Sequence, residues 1–336
     1  MQFDGHHAGT YITARLAGFD HPDAQVIAYA AQYVDDATNE GVIQFSGSEF
    51  LYSRIASAHR MIDHNNLIDL KNHLAWLPFH FLPGNSQLPA GQVPREGEIH
   101  QLTCRPDSPV ARDMLRMALR DSGKPRALHR LGIAMHVYAD TFAHQGFVGA
   151  LSAGNRASDV TSGDQGLDKR IRDASKQELV SKLWSETKAA FQLVWTSMLM
   201  AVRERKSLPR YWSDFFRRDQ LGHAAVDTFP DQPYLIWTYR DHAGELIKRD
   251  NPSTFMLAFE MMTKAMQAWR AADESMDLAK YPGMNAVDRV ALEQLVRDVR
   301  DPNADVRLNV WCDAIAKGSF SFGRAVLEYR PKGNGS

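Results

Sequence analysis

The chain has 336 residues, 44% of them hydrophobic and 24% charged, which is ordinary globular composition with enough apolar material for a sizeable core. Its formal net charge of −1 gives no long-range attraction to nucleic acid or to an anionic membrane, so a polynucleotide partner would need a local basic patch. Only Cys104 and Cys312 are present, with no C-x-x-C, which argues against a disulfide framework and a thiolate metal site.

The N-terminus, MQFDGHHAGTYITARLAGF, carries Asp4, His6 and His7 where a signal peptide would need a basic segment and then an apolar run. A cytoplasmic location is expected, with signal-independent export left open. Helical periodicity begins at YITARLAGF and continues in DAQVIAYAAQYVDDA. VIQFSGSEFLYS is the only modest strand candidate, and LPGNSQLPAGQVPREGE (82–98) reads as a long surface loop. Helices are then predicted at SPVARDMLRMALRDSG and LHRLGIAMHVYADTFAH, followed by a second long loop, LSAGNRASDVTSGDQG (151–166). Further helices are expected over 175–206, at NPSTFMLAFEMMTKAMQAWRAADES and at AVDRVALEQLVRDVR. Asp23 after Pro22, Ser108 before Pro109 and Asn251-Pro-Ser-Thr supply helix-start punctuation. The most apolar window, 189–202, is too short to span a bilayer comfortably. The expectation is an all-α chain forming one multi-helix domain over 1–330, with a flexible tail at 331–336.

Within the fourth helix, His136, Asp140 and His144 stand four apart. At 3.6 residues per turn they drift about 40° per step and stay on one broad face. A rise of about 1.5 Å per residue separates His136 from His144 by roughly 12 Å, so the three cannot close around one ion. They suit a row of ions, with Asp140 as the bridge; imidazole and carboxylate are zinc ligands. LGHAAVDTFPDQPYLIW (221–237) repeats the spacing with His223 and Asp227. Asp4-Gly-His6-His7 adds a carboxylate and imidazoles near the start. Asp35 and Asp36 end an apolar helix, where carboxylates oppose the macrodipole by a few tenths to about 1 kcal/mol and a cation would compensate. In AWLPFHFLPG, His80 is either a satisfied core residue or a ligand on a rigid loop.

This ordered set resembles the zinc-dependent phospholipase C superfamily, which also holds the single-strand-specific fungal nucleases and the N-terminal domain of glycosylphosphatidylinositol-specific phospholipase D. HVYADTFAH looks most like the phospholipase D version, while HAAVDTFPDQPYLIW and AAQYVDDAT resemble a bacterial branch of uncharacterised proteins. The resemblance covers roughly residues 1–240; the helices after it carry no motif of the superfamily. It implies an all-helical fold and a cluster of two to three zinc ions. One ion would take Asp35, His80, His136 and Asp140; Asp140 would bridge to a second held by His6 (or His7) and a group from the N-terminus; His144, His223 and Asp227 would hold a third. The chain departs from the pattern in two places. Secreted members use a mature N-terminal amine, for which Asp4 is the expected replacement here, and Asp227 stands where phospholipase C members use Glu.

The resemblance also implies hydrolysis of a phosphodiester. Clustered zinc lowers the pKa of a shared water and polarises phosphoryl oxygens. Asp35 and Asp140 are the expected catalytic residues, Asp35 as ligand and proton acceptor, with Asp231, His59 and Thr141 as candidates to orient the imidazoles. Tyr234, Trp237 and Tyr239 are either an aromatic wall for a choline or nucleobase or plain core. The even charge favours a small phosphoester or phospholipid headgroup over a polynucleotide. A His-Asp dipeptide phosphohydrolase fails because none of the thirteen histidines precedes an Asp. A ferritin-like di-iron protein would need paired Glu-x-x-His motifs. A non-catalytic protein stapled by metal and a toxin or effector role stay open. The remaining histidines are expected on the surface or in packing, except that SAHRMIDHNN (57–66) is a pocket-lining candidate. Both cysteines are expected to be inert.

Overall fold

A computed structural model describes residues 1–47, 49–59, 69–95, 97–185, 195, 199 and 221–329. Most of the helix expected over 175–206, residues 60–66 of SAHRMIDHNN and the tail 331–336 lie outside the described residues.

The chain opens with a π-helical turn over Asp4–Gly9 that runs directly into α1 (Thr10–Leu16), so helix begins well before the apolar periodicity does. Helix α2 (His21–Asp36) starts where the sequence signals it: the Asp20 side chain accepts from the Asp23 N–H, with Pro22 in the first turn. A hairpin of β1 (Gly41–Gln44) and β2 (Leu51–Arg54) follows, exposed along both strands, and matches the strand candidate. Helix α3 (Asp69–Phe79) delivers His80, and the short α4 (Glu98–Leu102) closes the first long loop. Ser108 caps α5 (Pro109–Arg120) through the Ala111 N–H. Helix α6 (Ala127–Ala143) is the central helix, buried from Met135 through Ala143.

The second long loop contains β3 (Ser158–Thr161), ahead of α7 (Gln165–Ser185). β3 pairs with β4 (Ile236–Arg240), and β4 with β5 (Leu246–Asp250), in a three-stranded antiparallel sheet. The expectation of an all-α chain is therefore corrected: helices dominate, but the described residues form five strands in two small antiparallel sheets. The missed signal is period-two burial in IWTYR, where Trp237 and Tyr239 turn inward and Ile236 and Arg240 face out. Asp241 makes the β4–β5 turn by accepting from the Ala243 and Glu245 N–H groups, with Gly244 at φ +84°. Three helices complete the described chain: α8 (Asn251–Arg270), α9 (Ala286–Asp298) and α10 (Ala304–Lys317).

Two apolar clusters result. The larger gathers Tyr11, Ile27, Leu115, Leu131, Phe259 and Trp311, among others, from α1, α2, α5, α6, α8 and α10. The smaller joins Phe81, Phe147, Ile171 and Phe229 to Tyr234, Trp237 and Tyr239, so these three aromatics are core and not the wall of a binding site. Tyr138 and Phe142 of α6 belong to the larger cluster, while Phe147, just past its end, belongs to the smaller. No described helix is long and apolar enough to cross a membrane.

Candidate metal centre

Helix α6 puts His136, Asp140 and, as its C-cap, His144 on one face, all buried. Around Asp140 the other segments converge. Its Oδ1 lies 2.5 Å from the Met1 amine and 3.1 Å from His6 Nε2. Its Oδ2 lies 3.3 Å from His80 Nδ1 and 3.4 Å from His136 Nε2. The His6 and His136 rings stack with centroids 3.7 Å apart. Asp35, from the end of α2, reaches 3.7 Å from His80 Nδ1 and 3.8 Å from His136 Nε2. At the other end, Asp231 places Oδ1 3.2 Å from His144 Nε2 and Oδ2 3.4 Å from His223 Nε2.

Three sets of donors follow: His6, His136 and Asp140; Asp35, His80 and His136; His144, His223 and Asp231, each with ligand atoms within 4.8 Å of one another. Tetrahedral zinc with bonds near 2.0–2.1 Å sets its ligand atoms roughly 3.3 Å apart, close to the separations found here. The donors are oxygen and imidazole nitrogen, which suit zinc among the transition metals. The Met1 ammonium occupies the position of a cation, also lying 3.2 Å from Asp231 and 3.3 Å from His144 Nε2. Neither ring nitrogen of His6, nor His136 Nδ1, completes a hydrogen bond, although both rings are buried. Unsatisfied buried imidazoles are costly unless a ligand uses them. The residues fit a metal centre.

Main-chain carbonyls set the tautomers. A carbonyl only accepts, so the ring nitrogen facing it carries the proton and the other keeps its lone pair. His80 Nε2 donates to Ser57 O at 3.0 Å, His144 Nδ1 to His80 O at 2.7 Å, and His223 Nδ1 to Asp227 O at 2.7 Å. Ser57 is itself fixed to the end of α2 through the Val34 and Ala37 carbonyls. The position of His80 is thereby tied to that of Asp35.

Burial drives His6 well below the usual imidazole range and His144 down to about 4, the direction that favours the neutral ring a ligand must present. Burial alone would raise Asp140, but His144, the Met1 ammonium, His6 and His136 hold it well below the carboxylate range. Asp231 is likewise held low against burial by the ammonium and by His223 and His144. Burial raises Asp35. His80 moves up because Asp140 and Asp35 outweigh its burial.

Of the predicted ligands, the fold brings together His6, Asp35, His80, His136, Asp140, His144 and His223. Two predicted ligands are corrected. Asp4 is fully buried but bound by Arg307 Nε at 2.6 Å, and the Met1 amine approaches the cluster in its place. Asp227 points elsewhere: its carboxylate accepts from the Thr228 N–H and only its carbonyl serves the centre, through His223. The predicted helical pair fails because 223–231 is two 3-10 turns, Ala224–Val226 and Phe229–Asp231, broken at Asp227 with φ +55°. Asp231, expected to orient a ligand, faces the imidazoles directly. His7 packs against Phe3 and Tyr329, leaving His6 as the donor of that pair. Among the described contacts, His59 lies 4.0 Å from Glu40 and Thr141 donates to the Tyr138 carbonyl. Asp36 accepts from the Tyr329 hydroxyl.

The centre is buried except at its two ends, where the Asp35 side chain is 32% exposed and that of His223 is 20% exposed. Cys104 is buried with its thiol pushed up by burial, which suits an inert packing residue.

Compared with known proteins, residues 1–335 match a family model described as "Family of unknown function (DUF6765)". No curated protein and no solved structure matches.

Proposed function

The chain belongs to the DUF6765 family, whose description assigns no activity, and we propose that it is a metal-dependent phosphoesterase acting on a phosphodiester, with zinc as the metal. The observation that carries this reading is the convergence of His6, Asp35, His80, His136, Asp140, His144, His223 and Asp231 into three adjacent donor sets, two of which share His136, with Asp140 Oδ2 lying 3.3 Å from His80 and 3.5 Å from His144. The reaction class rests on the order of these ligands along the chain, which resembles the zinc-dependent phospholipase C superfamily. Asp35, His80, His136 and Asp140 would hold one ion, Asp140 and His6 a second, and His144, His223 and Asp231 a third. Bound ions supply Lewis acidity to the phosphoryl oxygens and lower the pKa of water toward neutrality.

The chain's own residues do the rest. The Ser57, His80 and Asp227 carbonyls hold the ring nitrogens in the ligating tautomer. The side chains packed around His6 and His136 exclude water from the inner end. The Asp35 carboxylate, at the open edge, is placed to accept a proton from an entering water. A small phosphoester or a phospholipid headgroup suits the near-neutral charge of the chain; a single-stranded nucleic acid is the alternative substrate. A second reading, metal that staples the helices without turnover, is favoured by the burial of the His6–His136–Asp140 set. Catalysis is favoured by the two exposed ends.

The test is metal content by mass spectrometry on untagged protein, wild type beside Asp140→Asn, with bis-p-nitrophenyl phosphate turnover on the same samples. Roughly two to three zinc ions per chain, lost together with turnover in the variant, is the expected result. Zinc without turnover on any phosphodiester selects the stapling role. A folded wild type that takes up no metal overturns the centre.

A further inference from the structure

We propose that Arg307 is the positioning residue of the metal centre, a single guanidinium that holds two separate donor-bearing segments in register. The proposal rests on reading the cluster as a metal site and gives the C-terminal helices, which supply no donor, their part in it.

Arg307 lies in the first turn of α10 and is completely buried. A guanidinium has five N–H donors in a rigid plane, and here they fan out to four residues. Nε donates to Asp4 Oδ2 at 2.6 Å and Nη2 to Asp4 Oδ1 at 3.1 Å, a bidentate fork. Nη2 also donates to Gln2 Oε1 at 2.6 Å. Nη1 donates to Gln232 Oε1 at 2.9 Å and to the Asp301 carbonyl at 2.6 Å.

The neighbours of these partners are the donors. Gln2 follows Met1, whose amine sits on Asp140, and its carbonyl accepts from the His6 N–H at 2.9 Å. Asp4 begins the π-helical turn that carries His6. Gln232 follows Asp231, the carboxylate between His144 and His223. Arg307 thus joins the N-terminal turn to the turn at 229–231, two segments that approach Asp140 and His144 from different parts of the chain. The set of Asp35 and His80 is positioned independently, through Ser57 and the end of α2.

A buried Arg–Asp pair made only for stability is replaceable by apolar residues at little cost. A positioning role predicts something different: the fold survives such a replacement and the metal does not. The experiment titrates chelator-stripped full-length protein with zinc under equilibrium dialysis and follows cobalt(II) substitution by visible absorption. Variants are the paired Arg307→Met with Asp4→Asn, which removes both charges, then Arg307→Lys, and Gln232→Leu. The paired variant is expected to keep wild-type circular dichroism and a cooperative metal-free melt. Its affinity for the ions that use His6 and Asp231 should fall on the order of 10-fold, the lower end of the loss when a group that orients a ligand is removed. Arg307 acts through Gln2, Asp4 and Gln232 and touches no donor itself. Gln232→Leu should weaken only the ion of His144, His223 and Asp231, and Arg307→Lys should fall between wild type and the paired variant. An unchanged cobalt spectrum and wild-type zinc affinity in the folded variants overturn the proposal. If the paired variant does not fold, Gln232→Leu decides it in the same way: selective loss supports the role and wild-type binding refutes it. Wild type that binds no zinc overturns the centre itself, an outcome distinct from variants that bind as wild type does.

Discussion

Asp227 and Asp231 stand one helical turn apart in sequence and do different work. Asp231 faces two imidazoles and the Met1 ammonium, whereas Asp227 turns its side chain onto the Thr228 N–H. Asp231→Asn should therefore lower zinc affinity on the order of 10–100-fold or more. Asp227→Asn should leave it within about threefold, because Asn tolerates a positive φ and the carbonyl that serves His223 is unchanged. Zinc titration of the two variants side by side checks this, and equal losses would return Asp227 to the ligand set. Spacing identified His136, Asp140 and His144 because helix pitch converts sequence distance into geometry. Asp4, expected from the resemblance to stand in for an N-terminal amine, instead pairs with Arg307, 303 residues away. No local pattern says whether a buried carboxylate will meet an imidazole or a guanidinium.

At the level of elements, the separation of α2 and α6 sets the distance between Asp35 and His136. Gly132 of α6 lies against α2 so closely that an added Cβ would stand 2.3 Å from the Ile27 carbonyl oxygen. Alanine is the better helix former by about 1 kcal/mol, yet Gly132→Ala should destabilise by about 1–3 kcal/mol as the helices are forced apart. Zinc affinity should fall with it. A urea titration showing net stabilisation would refute this account of the packing. The C-terminal end of α6 is held by Arg249, whose guanidinium donates to the Phe142, Ala143 and Gln145 carbonyls. These include carbonyls the helix cannot satisfy itself. Arg249→Met should cost about 1–3 kcal/mol by leaving them unpaired, and the exposed Arg240→Met on the same sheet less than about 0.5 kcal/mol. Comparable losses in thermal melts of the two variants would count against the cap. The helix starts marked by Pro22-Asp23 and by Ser108 were legible because capping is local. β3 was not, since its stability comes from β4, a partner far along the chain. The local hairpin of β4 and β5 is missed when Trp237 and Tyr239 are read for their aromatic rings and not for their period-two alternation.

For the molecule as a whole, the candidate centre lies where α6 passes from the larger apolar cluster to the smaller, so a bound metal would be coupled to the fold. Zinc held at about 100 times its dissociation constant should add about 2.7 kcal/mol to stability, and a chelator should lower the melting temperature correspondingly. A melt indifferent to both would speak against an ion at the centre. The donors all lie before residue 240, but Phe255, Phe259, Met262 and Trp311 complete the larger core and Arg307 secures the N-terminal turn. A fragment ending at 240 should consequently neither melt cooperatively nor bind zinc, a result that dialysis and calorimetry would check. By itself the sequence determined most of the long helices, a strand in the stretch that forms the 41–54 hairpin and the ligand face of α6, because each follows from pitch, propensity and spacing within a few residues. Helices α3, α4 and α10 were not among those it signalled. Tertiary structure decided that Asp231 and not Asp227 meets the imidazoles, that Asp4 is an anchor and not a ligand, and that carbonyls fix the tautomers. Those outcomes depend on which buried groups from distant segments are close enough to satisfy one another, and the energy of that choice appears only when the segments pack.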